Sequence, residues 1–259
     1  MEKQDNIYEA ISSKGFSGET LELLDNYIND VLYGRTNLTR FNTAEHGGLC
    51  SAGAVLIGAY AVCDYARKSL TASADARGSE KGAANWEIDA EQEKLVQQWA
   101  EAKRLWIPYS EQSLVSLYGP RIAKGAEAIV YYKSGDTSVV KERTSIYATL
   151  GRALEAIVLH NTLFPETEMS VIGFTRDADG LFRTILTQPY IGCERLATKQ
   201  EIDEMVKAKG FKDNWEGEGV NYIGDRLYLE DMHPANVFVD VLTGKPTCID
   251  CIVKFINKE

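Results

Sequence analysis

The chain has 259 residues, 44% of them apolar and 25% charged, proportions that exclude a disordered chain, a collagen and a disulfide miniprotein and leave room for one large domain or two small ones. Thirty-eight acidic residues against 28 basic ones give a net charge of −10 and an isoelectric point near 5.0. With no basic run to neutralise phosphates, no nucleic-acid partner is expected. Five widely spaced cysteines do not make a disulfide framework. The N-terminal MEKQDNIYEA has no apolar signal segment, and the most hydrophobic run, Cys50 to Val62, is too short and too rich in Gly and Ala to span a bilayer. A cytoplasmic protein with no membrane partner is the expectation.

Residues 1 to 112 read as a helical domain. Glu19 to Leu32 places Leu21, Leu23, Leu24, Tyr27, Ile28, Val31 and Leu32 close to one stripe, with Ser17 as cap and Gly34 ending the segment. Ala52 to Tyr65 reads as a buried helix, and residues 70 to 84, small and polar, as a loop. Ala90 to Trp106 is a charged helix with Leu95, Val96, Trp99 and Trp106 on one side, stopped by Pro108. Trp86, Trp99 and Trp106 are assigned to helix packing.

Beyond residue 117 the texture changes. Arg121 to Ala123, Ala128 to Lys133 and Ser138 to Glu142 are strand-like, with a turn at Ser134-Gly135-Asp136. A helix is expected over Ser145 to Leu163, strands over Met169 to Phe174 and Leu181 to Thr187, and a helix over Thr198 to Lys209. Asn236 to Leu242 and Thr247 to Phe255 complete the chain as a hairpin. The order is that of an α+β fold.

The sharpest local signal is Leu229-Glu230-Asp231-Met232-His233-Pro234-Ala235-Asn236 followed by a short hydrophobic run, with a second carboxylate in Cys248-Ile249-Asp250-Cys251. This is the spacing of a phosphoryl-transfer loop: one carboxylate orients or deprotonates the attacking hydroxyl, while the Asn and the later Asp hold magnesium on nucleotide phosphates.

The segment resembles the catalytic loop of the protein-kinase-like superfamily, closest to its small-molecule phosphotransferases, and is similar to the kinase-like domain of polyvalent proteins on bacterial mobile elements. The resemblance covers roughly residues 118 to 255. It implies a kinase-like N-lobe over about 118–187, a hinge at 188–193 and a reduced C-lobe over 194–259, since the chain continues only nine residues past Asp250. The helices of residues 1 to 112 are expected to stand in for those that normally complete the second lobe. The resemblance further implies ATP and magnesium as cofactors. Asp231 becomes the catalytic base, Asn236 and Asp250 the metal ligands, and Lys141 the phosphate-contacting lysine with Glu155 as its ion-pair partner. Gly125 belongs to the phosphate-covering loop, and Gln188 and Tyr190 offer backbone groups to adenine. The acceptor, small molecule or protein, is left open.

Several positions depart from the family's pattern. Ala123 and Ala128 stand where two loop glycines are usual, Leu229 replaces the catalytic-loop histidine, and Cys251 and Ile252 follow Asp250 in place of Phe and Gly. A nucleotide-binding pseudokinase, or an interaction module carried by residues 1 to 112, is therefore the alternative. Glu142 is a rival partner for Lys141. Cys248-x-x-Cys251 reads as buried thiols on opposite strand faces, because a structural zinc site takes four ligands and there is no second such pair. His46 and His160 have no partner pattern, His233 either contacts phosphate or braces the loop, and Trp215 is a candidate lining residue.

Overall fold

The computed structural model describes residues 2–38, 53–76, 84–144, 149–214 and 220–256; His46 and Trp215 lie outside them. Chain contacts divide it into two compact units, the first made of Met1–Leu154 and Ser170–Thr187, the second of Glu155–Met169 and Gln188–Glu259. Among the described residues, no helix is long and apolar enough to cross a membrane.

The first unit begins with helices α1 (Glu2–Lys14), α2 (Gly18–Leu32), α3 (Ala54–Ala76), α4 (Asn85–Ala102) and α5 (Glu111–Tyr118). In α1, Ile7, Ala10 and Ile11 are buried at the spacing of one helical face. Ser17 caps α2 by accepting from Thr20 N–H at 3.5 Å, and Leu24, Tyr27, Ile28 and Val31 are its buried stripe. Helix α3 outruns its expected end, so residues 70–76 are helical where a loop was expected. Within this turn Thr71 and Ser73 donate back to the carbonyls of Arg67 and Ser69, so both hydroxyls are satisfied inside the helix. The α3–α4 contact is close at Gly58, where a Cβ would sit 2.6 Å from the Trp99 ring. Trp99 is in the core as expected, whereas Trp86 is 72% exposed.

Asp64 ties α3 to α1. Its buried carboxylate accepts from the Tyr8 hydroxyl at 2.7 Å and pairs with Arg67 at 2.6 Å and Lys68 at 3.0 Å. Burial alone would raise its pKa, but these donors together outweigh burial and hold it below the ordinary value; burial and Asp64 in turn push the Tyr8 hydroxyl up, so it stays a donor. A carboxyl depressed in the folded state adds stability above the unfolded carboxyl value, near pH 4, and loses it as pH falls through the folded value. Asp64→Asn is therefore expected to cost about 1.5–3 kcal/mol at neutral pH and less at a pH below the folded-state value of the carboxyl. Denaturant melts at both values check this, and equal losses would refute it.

Helix α4 stops at Ala102, short of Trp106, and Arg104 takes a left-handed turn with φ 58°. The chain from Leu105 to Ile107 then lies against the edge of a five-stranded sheet, formed by β1 (Arg121–Lys124), β2 (Ala128–Tyr131), β3 (Ser138–Arg143), β4 (Ser170–Arg176) and β5 (Phe182–Pro189) in the order β1-β2-β3-β5-β4. Ile107 N–H donates to Phe174 carbonyl at 2.8 Å, and Phe174 N–H to Leu105 carbonyl at 3.0 Å. This approach needs Gly173, where a Cβ would lie 2.7 Å from the Leu105 carbonyl oxygen. Helices α3 and α4 also contact β4. Within the first unit, then, these two helices pack on the β4 edge of the five-stranded sheet.

In the second unit, the remainder of α6 (Leu150–Leu163) leads through a turn at Pro165–Thr167, and later β6 (Cys193–Leu196) leads to α7 (Lys199–Ala208). Thr198 and Glu201 cap α7 reciprocally. Strands β7 (Lys212–Asp213), β8 (Tyr222–Ile223), β9 (Leu227–Glu230), β10 (Val237–Asp240), β11 (Pro246–Cys248) and β12 (Ile252–Phe255) form two small sheets, β11-β10-β6 and β12-β9-β8-β7. The expected terminal hairpin is therefore only half formed. Strand β10 pairs with β11, with Val237 opposite Cys248, but Ile252–Phe255 leaves to pair with β9. Residues 249–251 cross between the sheets, so strand alternation does not separate Cys248 from Cys251.

Candidate active site

Strand β9 delivers the chain to Asp231, which takes a left-handed φ of 63°. Asp tolerates this region better than most residues, yet such a conformation persists only where its surroundings impose it. Here Asp231 N–H donates to Asn221 Oδ1 at 3.2 Å and Met232 N–H to the Val220 carbonyl at 2.9 Å, while the Met232 side chain is fully buried. The loop is thus pinned on both sides of its backbone.

Both oxygens of the Asp231 carboxylate have neighbours within the loop. Asn236 Nδ2 donates to Asp231 Oδ2 and to its carbonyl, each at 2.9 Å. His233 Nδ1 accepts from Ala235 N–H at 3.2 Å, and its Nε2 lies 3.3 Å from Asp231 Oδ1 and 3.2 Å from Asn236 Nδ2. His233 therefore braces the loop. The Asn236 carbonyl accepts from Ile249 N–H at 2.9 Å, which places the half-buried Asp250 beside it at one end of the β10–β11 pair. An amide oxygen and a carboxylate are hard donors, few in number, and fit magnesium in kind.

Gln188 is buried, and its side chain donates to the carbonyls of Thr167 at 2.8 Å and Ile249 at 3.0 Å. It braces the residue before Asp250, a role the sequence did not signal. Tyr190 is 46% exposed. His160, for which no partner was expected, is buried with Nδ1 3.3 Å from Cys251 Sγ and Nε2 3.3 Å from the Thr167 carbonyl.

In the first unit, Lys141 is buried on β3 opposite Val130. Glu142 points to the other face of that strand, where it accepts from the Tyr131 hydroxyl at 2.8 Å and lies 3.8 Å from Arg183. Gly125 closes the β1–β2 turn by donating to the Ala128 carbonyl at 2.8 Å. Glu155 is buried on α6 in the second unit. The start of α6, within the first unit, is fixed by α4: Asp89 Oδ1 accepts from Leu150 N–H at 2.6 Å and Gln92 Oε1 from Gly151 N–H at 2.8 Å. These bonds satisfy donors that every helix start leaves open. Asp89 and Gln92 carry no motif in the sequence, only an acidic and an amide side chain on a charged helix.

The family described as a serine/threonine/tyrosine kinase found in polyvalent proteins matches residues 89–257. The match starts at Asp89 and so takes in the end of α4 that caps α6. No curated protein sequence matches. Among solved structures, the LegK7 effector kinase of Legionella pneumophila is 14% identical, with 96% of this chain and 65% of that chain covered and a TM-score of 0.31. This chain therefore spans less than two thirds of that kinase.

Proposed function

We propose, because the chain belongs to the family of serine/threonine/tyrosine kinases found in polyvalent proteins, that it transfers the γ-phosphoryl group of ATP to a hydroxyl acceptor. The observation that carries this reading is the Asp231 loop: a carboxylate held in a left-handed backbone by Asn236 and His233, with Asn236 bonded to the residue before Asp250. Asp231 accepts the acceptor's proton or orients its oxygen. Asn236 and Asp250 hold magnesium, which when bound neutralises charge on the phosphates. Lys141 contacts those phosphates and Glu155 holds Lys141, Gly125 lies in the covering loop, and backbone groups of Gln188 and Tyr190 meet adenine. In this reading residues 113–259 are the kinase-like domain, with its small lobe at about 118–187, a hinge at 188–193 and a reduced large lobe at 194–259.

A second reading, nucleotide binding without transfer, is favoured by Ala123 and Ala128 flanking the turn closed by Gly125, since Cβ atoms there keep the backbone further from phosphate. Thermal unfolding with and without a non-hydrolysable ATP analogue and magnesium separates the two, for wild type and Asp250→Ala. A ligand at one hundred times its dissociation constant adds about 2.7 kcal/mol to the folded state. The transferase reading expects a rise in midpoint that needs magnesium and disappears in Asp250→Ala. A rise indifferent to magnesium supports the binding reading, and none at millimolar analogue refutes both.

A further inference from the structure

The cluster around His160 is chemically distinct from the oxygen-rich loop. His160 on α6 and the pair Cys248, at the end of β11, and Cys251, in the crossing before β12, come from two distant places in the chain, yet their ligand atoms all lie within 4.8 Å of one another. All three are buried, at 1%, 0% and 4% exposure. Met232 Sδ, also fully buried, is 3.8 Å from Cys248 Sγ.

We propose that His160, Cys248 and Cys251, with the Met232 thioether completing the shell, bind a thiophilic d10 metal ion, zinc(II) or copper(I). Bonds of roughly 2.3 Å to sulfur and 2.0 Å to nitrogen place tetrahedral donors roughly 3.5–3.8 Å apart. The 3.3 Å His160 Nδ1–Cys251 Sγ and 3.8 Å Cys248 Sγ–Met232 Sδ separations are already near those values. The other imidazole nitrogen faces the Thr167 carbonyl at 3.3 Å. A proton on Nε2 donated there leaves the Nδ1 lone pair for the ion, the usual way an outer carbonyl fixes a ligating histidine. Two thiolates, an imidazole and a thioether select soft ions over magnesium. Each thiol gives its proton to solvent as its sulfur–metal bond forms, and no electron is transferred. Two thiolates would neutralise a divalent ion in this dry site, whereas a thioether fourth donor suits copper(I); the donor set is common to both.

The ion would act as a clip. Cys248 and Cys251 bracket Asp250, and His160 fastens that bracket to α6, so the segment carrying Asp250 is tied to the helix whose next turn back carries Glu155.

Since the ligands are buried, loading takes place during folding, and the test uses the full chain expressed with supplemental zinc or copper and passed over a chelating resin. Elemental analysis is expected to find about one ion per chain, its identity distinguishing zinc from copper. Refolding with cobalt(II) is expected to give the intense near-ultraviolet thiolate-to-metal absorption. Cys251→Ser and His160→Gln should lower retained metal severalfold, while Cys193→Ser, at an exposed cysteine, leaves it unchanged. Should the buried variants fail to fold, the wild-type stoichiometry and cobalt spectrum decide. A folded wild type that retains no ion, shows no cobalt–thiolate band and melts identically with and without either metal overturns the proposal. So does a Cys248–Cys251 disulfide in the unreduced protein, or loss of the ion in Cys193→Ser. None of these readouts depends on phosphoryl transfer.

Discussion

Asp231→Asn is expected to lower phosphoryl transfer by about two to four orders of magnitude, the usual contribution of a positioned general base, while leaving the fold and nucleotide binding in place. Asn is nearly isosteric with Asp and equally tolerant of the left-handed backbone that Asp231 adopts. Its amide oxygen can still accept from Asn236 Nδ2, which now holds Asp231 Oδ2 at 2.9 Å. What disappears is the charge, the ability to take a proton and the second oxygen acceptor, the one beside His233 Nε2. Rates of ADP release, measured beside the analogue-induced rise in melting midpoint, separate chemistry from binding: the rate collapses and the rise stays. A variant that turned over at the wild-type rate would remove Asp231 from the reaction. Loss of both rate and midpoint shift would instead assign it to the architecture of the nucleotide site. Asn236→Ala is not equivalent, because it removes the donor that holds Asp231 as well as a proposed metal ligand.

What the sequence made legible and what it hid follow physical lines. The Asp231–Asn236 loop stood out because its spacing is dictated by local chemistry, and the same holds for the Ser17 cap and the turn at Gly135, where φ reaches 93°. Strands of two to four residues such as β6 to β9 are too short to show a period, and α5, eight residues long, hardly completes two turns. The run Thr247–Phe255 looked like one strand because its apolar content is continuous; only pairing partners far away in sequence show that it divides between two sheets. That division changed the reading of Cys248 and Cys251, since alternation along a strand means nothing across a crossing. His160 was equally hidden, its neighbours being 91 positions away at Cys251 and seven away at Thr167. Asp89 and Gln92 were hidden for the same reason: caps supplied by another helix leave no local mark, unlike Thr198 and Glu201, three residues apart on α7.

Phe174→Ala is expected to cost about 3–5 kcal/mol, a fall on the order of 10 °C in the melting midpoint of a chain this size. Phe174 is fully buried on β4, with the Trp99 ring edge-on at 6.4 Å and Phe182 at 5.8 Å. Its backbone carries the bonds to Leu105 and Ile107. One residue therefore joins α4, the edge segment after it and the five-stranded sheet. The side chains around it are anchored elsewhere, Trp99 against Gly58 of α3 and Phe182 against Trp106, so the space it leaves cannot close by a small adjustment, and cavities that do not collapse are the costly ones. Phe174→Leu, which keeps most of the volume, should lose about 1–2 kcal/mol. If residues 1 to 112 were an independent helical domain, Phe174→Ala would leave their melting untouched, and a fragment of residues 113–259 would fold as well as the whole chain. The packing at Phe174 requires the opposite: helical and sheet signals should fall together in the variant, and the fragment, stripped of Trp99 and of the Leu105–Ile107 edge, should melt far below the full-length protein. Circular dichroism for the helices and amide infrared absorption for the strands, followed through the same melt, decide between them.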